Sequence, residues 1–167
     1  MATATVSDFV DHRVHTLASV VLTRRREVTV TPIDVGPLDL LVQISRLQTV
    51  KGEEVDSLFP FFCILKGTEQ ELPNSQQAKR YLKTLWNKTT GKKSARYSLP
   101  VLVLLFSMVD DQGYFAWHSY PKLKMESPEI DYPELFDCES INRHTTDAII
   151  QSVIEWYDGF AKMVIAE

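Results

Sequence analysis

Two ionisable residues stand inside strongly apolar stretches: Asp39 near the start of LDLLVQI and Lys66 at the end of FPFFCILK. A charge among aliphatic neighbours costs several kcal/mol unless it is paired, hydrated or bound to a metal. The two residues therefore read either as a buried ion pair or as parts of a site. A second feature is electrostatic. From Leu72 to Val109 there is no acid, while Lys79, Arg80, Lys83, Lys88, Lys92, Lys93 and Arg96 are basic. From Met125 to Glu139 the reverse holds, with Glu126, Glu129, Asp131, Glu134, Asp137 and Glu139 and no base. On a chain of net charge −4 such a basic cluster can still make a local positive field suited to phosphates. The plainer alternative is two solvated faces that touch each other.

Other chemistry is thinner. His12 and His15 lie three apart at helical spacing, but no second pair of ligands has zinc-like spacing, so they read as exposed helix residues. Cys63 and Cys138 are the only cysteines, which excludes a disulfide framework and a four-cysteine zinc site. Cys63 reads as a buried structural thiol. The chain has no nucleophile elbow, Walker loop or dinucleotide fingerprint.

The elements that must position these residues follow from periodicity. Val6, Phe9, Val10, Val14, Leu17, Val21 and Leu22 recur at helical spacing, with Ser7 as the expected N-cap. The following Arg24, Arg25 and Arg26 suit a helix C-terminus. EVTVTPI alternates as a strand, Leu38 to Ile44 makes a second and Phe59 to Lys66 a third, with SRLQTVKGEEVDS read as the loop between the last two. Ala78, Tyr81, Leu82, Leu85 and Trp86 form the buried stripe of a second helix, which carries much of the basic cluster on its other face. LPVLVLLFSMV is a central strand, YFAWHSY its neighbour, and the acidic, proline-bearing stretch after it reads as a long loop. A last helix carries Ile149, Ile150, Val153, Ile154, Tyr157 and Phe160. The order is helix, three strands, helix, two strands, helix. It predicts one α/β domain over residues 1–167, with a mixed five-stranded sheet flanked by helices. The strand-helix-strand crossover should set the third and fourth strands parallel.

That order resembles the core of the PD-(D/E)XK nuclease superfamily, with its restriction-endonuclease-like fold. In that superfamily an Asp opens the second strand, matched here by Asp39 in PLDLLVQI. The third strand there carries a Glu or Gln two residues before a Lys, and Lys66 in FFCILKGTE takes the Lys position. The helix ending in LKTLW, the strand SLPVLVLLFSMVDDQG and YFAWHSY are similar to a bacterial family called domain of unknown function 4365. The resemblance runs from about Val14 to Phe160. It implies Asp39 and Lys66 as catalytic residues. It also implies an Mg²⁺ or Mn²⁺ ion on Asp39 and the Leu65 main-chain carbonyl, and phosphodiester hydrolysis of DNA or RNA. The basic residues Lys79, Arg80, Lys83, Lys88, Lys92 and Lys93 would then meet the nucleic acid.

Two positions depart from the pattern. Ile64 stands where the family places Glu or Gln, and Val14 where its first helix often has an acid. Asp34, Asp11 and Glu69 are the acids that a displaced metal site could recruit, Glu69 only with a bend at Gly67. The expectation is therefore a degenerate nuclease-like domain that binds nucleic acid or a protein partner, with a metal-dependent nuclease as the alternative. A homodimer is a further candidate partner. No apolar run is long enough to span a membrane and the N-terminal stretch has no secretion signal, so a cytoplasmic protein is expected.

Overall fold

The computed structural model describes residues 5–89, 96–134 and 136–165. The first helix, α1 (Val6–Leu22), starts at a capping box: the Thr5 hydroxyl accepts the Asp8 N–H at 3.2 Å, and the Asp8 carboxylate accepts the Thr5 N–H at 2.8 Å. The cap is therefore Thr5, two residues before the expected Ser7. The basic triplet lies just past the helix, and Arg25 is held by Glu27.

The remaining elements are β1 (Val28–Val35), β2 (Leu38–Val50), β3 (Glu53–Thr68), α2 (Ser75–Thr89), β4 (Val101–Ser107), β5 (Gly113–Lys124), β6 (Ser127–Asp131), β7 (Glu139–Ser140) and α3 (Arg143–Ile165). The sheet runs β1-β2-β3-β4-β5-β6, with β7 also on β5. Among the described residues only β3 and β4 pair in parallel, as the crossover through α2 requires; the other pairs are antiparallel. The chain is thus α/β with a mixed open sheet and three helices among the described residues, but seven strands rather than the expected five.

The two extra strands come from the acidic stretch read as loop. β6 is short, begins next to a proline and sets Glu129 opposite Lys122 on β5. Short edge strands with charge and proline resist further pairing, and for the same reason they lack an apolar period of two. The second correction is SRLQTVKGEEVDS. It is the tip of a hairpin in which Ser45 to Val50 pairs rung by rung with Glu53 to Leu58. Lys51 and Gly52 turn it, both at positive φ (+53° and +84°), the backbone of a two-residue hairpin turn.

Each face of the sheet has its own core. On one, α1 and α3 bring Val14, Ala18, Leu22, Ile150 and Val153 onto Leu40, Val42, Phe61, Cys63, Leu65 and Leu104. On the other, α2 brings Ala78 and Leu82 onto Ile64, Val101, Val103, Leu105 and Tyr114. Every residue of β4 is buried, as its unbroken apolar run demands. The base of the hairpin is clamped by α3: the Tyr157 ring stacks on Phe59 at 4.8 Å, its hydroxyl donates to the Pro60 carbonyl, and Arg46 pairs with Asp158 at 2.6 Å. Among the described residues no helix is long and apolar enough to cross a membrane.

Candidate functional site

Side chains alternate across a strand, and directly opposed residues share a face. The β2–β3 register closes at Leu40 opposite Cys63, one residue short of Asp39, and on β3 Ile64 and Lys66 share a face. This is the α2 side of the sheet. Asp39 and Lys66 are half-buried, while Ile64 has no solvent exposure and packs in the α2-side core. Asp39 and Lys66 do not form the buried ion pair that their sequence setting allowed. The ion pairs among the described residues are Arg13–Asp111, Arg25–Glu27, Arg46–Asp158 and Lys79–Asp137. Asp39 turns instead into the backbone: its Oδ2 accepts the Leu65 N–H at 2.7 Å. The paired register ends at Leu40–Cys63, and this bond takes the amide that a further rung would have used. Burial and the nearby Asp39 charge together push the Cys63 thiol far up, so it is an inert core group.

The donors needed for a divalent cation do not converge here. Mg²⁺ takes near-octahedral oxygen ligands. Asp39 already spends one oxygen on a backbone amide, and Ile64 offers none. Asp34 is exposed beside an irregularity in β1. Asp11 is exposed on α1, which packs on the face of the sheet opposite to Ile64 and Lys66. Glu69 is exposed beyond the end of β3, which runs straight through Gly67 to Thr68. α1 lies close against Gly67: a Cβ there would come within 2.5 Å of Val14 and 2.6 Å of Val10. Among the described residues no three His, Cys, Asp or Glu side chains come together to hold a metal. The residues present do not fit the ion that the resemblance implies.

No family model, curated protein or solved structure matches the chain. The resemblance to PD-(D/E)XK nucleases thus stands on the quoted strands and their order alone.

The basic helix divides into parts. Lys79 is bonded to Asp137 at 2.6 Å, so the acidic and basic segments do touch. Arg80, Lys83 and Lys88 are exposed, and among the described residues none of them pairs with a carboxylate. Arg80 and Lys88, eight apart on one side of α2, line a groove of about 450 Å³ with Gln77, Tyr81 and Thr84. Lys92 and Lys93 lie outside the described residues.

Sequence reasoning missed one cluster on the other flank of α2. There Trp86 meets His118 and Phe136 at ring-centroid distances of 5.4 and 5.0 Å, around a cavity that Arg96, Tyr132 and Glu134 also line. These residues come from four separate stretches of chain, and only an aromatic followed by a histidine on β5 hinted at them. A cavity of about 570 Å³ between Arg24, Arg25 and Arg143 is less suited to a ligand. The first turn of α3 beside it is already capped by Asn142 and Thr145, and Asp147 offsets the positive charge.

Proposed function

We propose that the chain is a nucleic-acid-binding domain that keeps a restriction-endonuclease-like sheet without a complete catalytic motif. The observation that carries this reading is the outward face of α2, where Arg80, Lys83 and Lys88 project without carboxylate partners among the described residues. Free cations on one helix face, on a chain that is acidic overall, are what phosphate contact uses and what fold stability does not require. Ile64, fully buried on the face of β3 that also carries Lys66, supports the loss of catalysis.

The test is fluorescence anisotropy with labelled single- and double-stranded DNA and RNA, repeated over a range of salt. Binding should weaken steeply with salt, and reversing Arg80, Lys83 and Lys88 to Glu should flatten that dependence by roughly 0.7–0.9 in log–log slope for each phosphate no longer neutralised. Absence of binding at low salt, or binding indifferent to the triple reversal, overturns the reading.

A second reading is a metal-dependent nuclease. It is favoured by the bond from the Leu65 amide to Asp39, which holds the acid of β2 beside the residue that precedes Lys66 on β3. Cleavage of any of these substrates with Mg²⁺ or Mn²⁺, abolished by Asp39→Ala and by Lys66→Ala, would establish it in place of the first.

A further inference from the structure

The aromatic cavity beside α2 is a built pocket with a defined donor and acceptor set. Its volume of about 240 Å³ is below the roughly 300–1,000 Å³ of pockets for drug-sized ligands, which suits one flat heterocycle. Trp86, His118 and Phe136 form its apolar walls, tilted against one another by 44° and 56°. Tyr97 backs His118 at 5.5 Å, and the Tyr132 hydroxyl donates to the Tyr97 carbonyl at 2.7 Å, which ties two sides of the pocket together. Burial holds the His118 imidazole toward its neutral form, so the ring acts as an aromatic wall.

Two charged groups share this cavity and do not pair with each other. The Arg96 guanidinium lies over the Tyr132 ring at 5.1 Å, and the exposed Glu134 carboxylate stands on the rim. Among the described residues neither is in an ion pair. A ligand that uses all of this needs an aromatic face, adjacent N–H donors for a carboxylate and an anionic group for a guanidinium. A quaternary ammonium would use the rings but would meet the Arg96 charge. An aliphatic ligand would use neither the ring faces nor the Glu134 carboxylate. Guanine satisfies the set, because its Watson–Crick edge carries neighbouring N–H donors that a carboxylate accepts in a bidentate pair, while its phosphate meets Arg96.

Lys83 connects this pocket to the phosphate-binding face. Lys79, Lys83 and Trp86 follow one another at helical spacing, and Lys83 is exposed one turn before Trp86. We propose that the pocket holds an unpaired guanine of a single-stranded nucleic acid whose backbone runs along Lys83 and Arg80. The proposal rests on the nucleic-acid-binding reading and adds the strandedness and the base. Stacking contributes to any base, and the Glu134 carboxylate supplies the choice among them.

The experiment measures anisotropy of the full chain with labelled single-stranded thymidine oligomers, each with one central position changed to guanine, inosine, adenine or cytosine. The guanine oligomer should bind about tenfold tighter than unsubstituted thymidine, within the range a bidentate base contact gives. Inosine, which lacks the exocyclic amine, should lose most of that gain. Glu134→Gln should reduce the guanine preference to under about threefold. Phe136→Leu should weaken all single strands and leave duplex binding unchanged. Salt-sensitive binding with equal affinity for every base, or a guanine preference indifferent to Glu134→Gln, overturns the pocket assignment and leaves the broader reading standing. Absence of all binding at low salt overturns both. Competition by tetramethylammonium but not by guanosine monophosphate would assign the pocket to a methylated ammonium on a protein instead.

Discussion

The Asp39 carboxylate accepts the Leu65 amide at 2.7 Å across 26 residues of sequence, and so closes the end of the β2–β3 ladder. A side chain that looked like a catalytic acid has a structural task that any chain with this register would need. Removing the acceptor leaves a half-buried N–H without its partner, so Asp39→Ala should cost about 1–3 kcal/mol. Asp39→Asn keeps an acceptor oxygen in place and should stay within about 1 kcal/mol of the parent. Urea denaturation decides between them, with the midpoint shifting and the slope unchanged. Equal losses in the two variants would show that the charge, and not the hydrogen bond, is what the site uses.

Gly67 and Val14 record how closely α1 approaches β3. A Cβ at position 67 would overlap Val14 and Val10 at 2.5 and 2.6 Å, so Gly67→Ala should cost about 1–3 kcal/mol through overpacking. Val14→Ala alone leaves a cavity and is also destabilising. In the double variant the added methyl fills part of that cavity, so the two losses should add to less than their sum by about 1 kcal/mol. A double-mutant cycle by thermal denaturation measures it, and strict additivity would deny the contact.

The strands that were legible from sequence were those with a buried face. β4 is apolar throughout because it is covered on both sides, and Leu40, Val42 and Ile44 alternate because one face of β2 meets the α1 and α3 core. The parallel pairing of β3 and β4 followed from the helix between them. The hairpin tip and β6 were not legible, because neither buries a continuous face: Leu47, Val55 and Leu58 are exposed, and β6 mixes proline and acids. Ile64 and Lys66 share a face because strand parity alone sets this. That Asp39 would turn to the Leu65 amide was hidden, since it depends on where the ladder stops. The aromatic pocket was hidden too, because Trp86, His118, Tyr132 and Phe136 are joined only by the tertiary fold.

The hairpin should depend on α3. Tyr157 spends its hydroxyl on the Pro60 carbonyl, and burial pushes that hydroxyl up to about 12, so it remains a donor across the accessible pH range. Tyr157→Phe keeps the stack on Phe59 and should cost about 1 kcal/mol. Phe59→Ala removes a ring that is 7% exposed and should cost about 3–5 kcal/mol. Hydrogen exchange should show Ser45–Val50 and Glu53–Leu58 losing protection first in both variants. Protection there that is indifferent to Tyr157 and Phe59 would mean the hairpin stands without the helix.

His118 gives the fold a pH dependence whose sign is fixed by its burial. Its pKa lies below the ordinary value, so between that lowered value and about 6.5 the unfolded chain binds the extra proton and the folded chain does not. The stabilisation is therefore complete above about pH 6.5 and is lost as pH falls through the folded value. The groups around the ring are Trp86, Tyr97, Ser119 and, in the same cavity, Arg96 and Glu134. Replacing it by Phe should leave a thermal midpoint that falls less than the parent's between pH 7 and pH 5. A larger fall in the variant would place the folded pKa above the unfolded one and reverse the assignment.

Ile64 is the position at which the two functional readings part. Restoring the resemblance by Ile64→Glu puts a carboxylate into a site with no solvent exposure, between apolar residues carried by α2 and β4. If the donors do not converge, as the Asp39 to Leu65 bond indicates, the new acid has Lys66, two residues along on its own strand face, to offset its desolvation. The variant should then lose about 3 kcal/mol or more, and Mn²⁺ should not return it. Ile64→Gln, without the charge, should lose less. A Mn²⁺-dependent rise in the thermal midpoint of Ile64→Glu, absent from the parent, would mean that Asp39 leaves the Leu65 amide for a metal when a second carboxylate is supplied. In that case the face would be one substitution away from a metal site, and the nuclease ancestry would be supported by chemistry as well as by strand order.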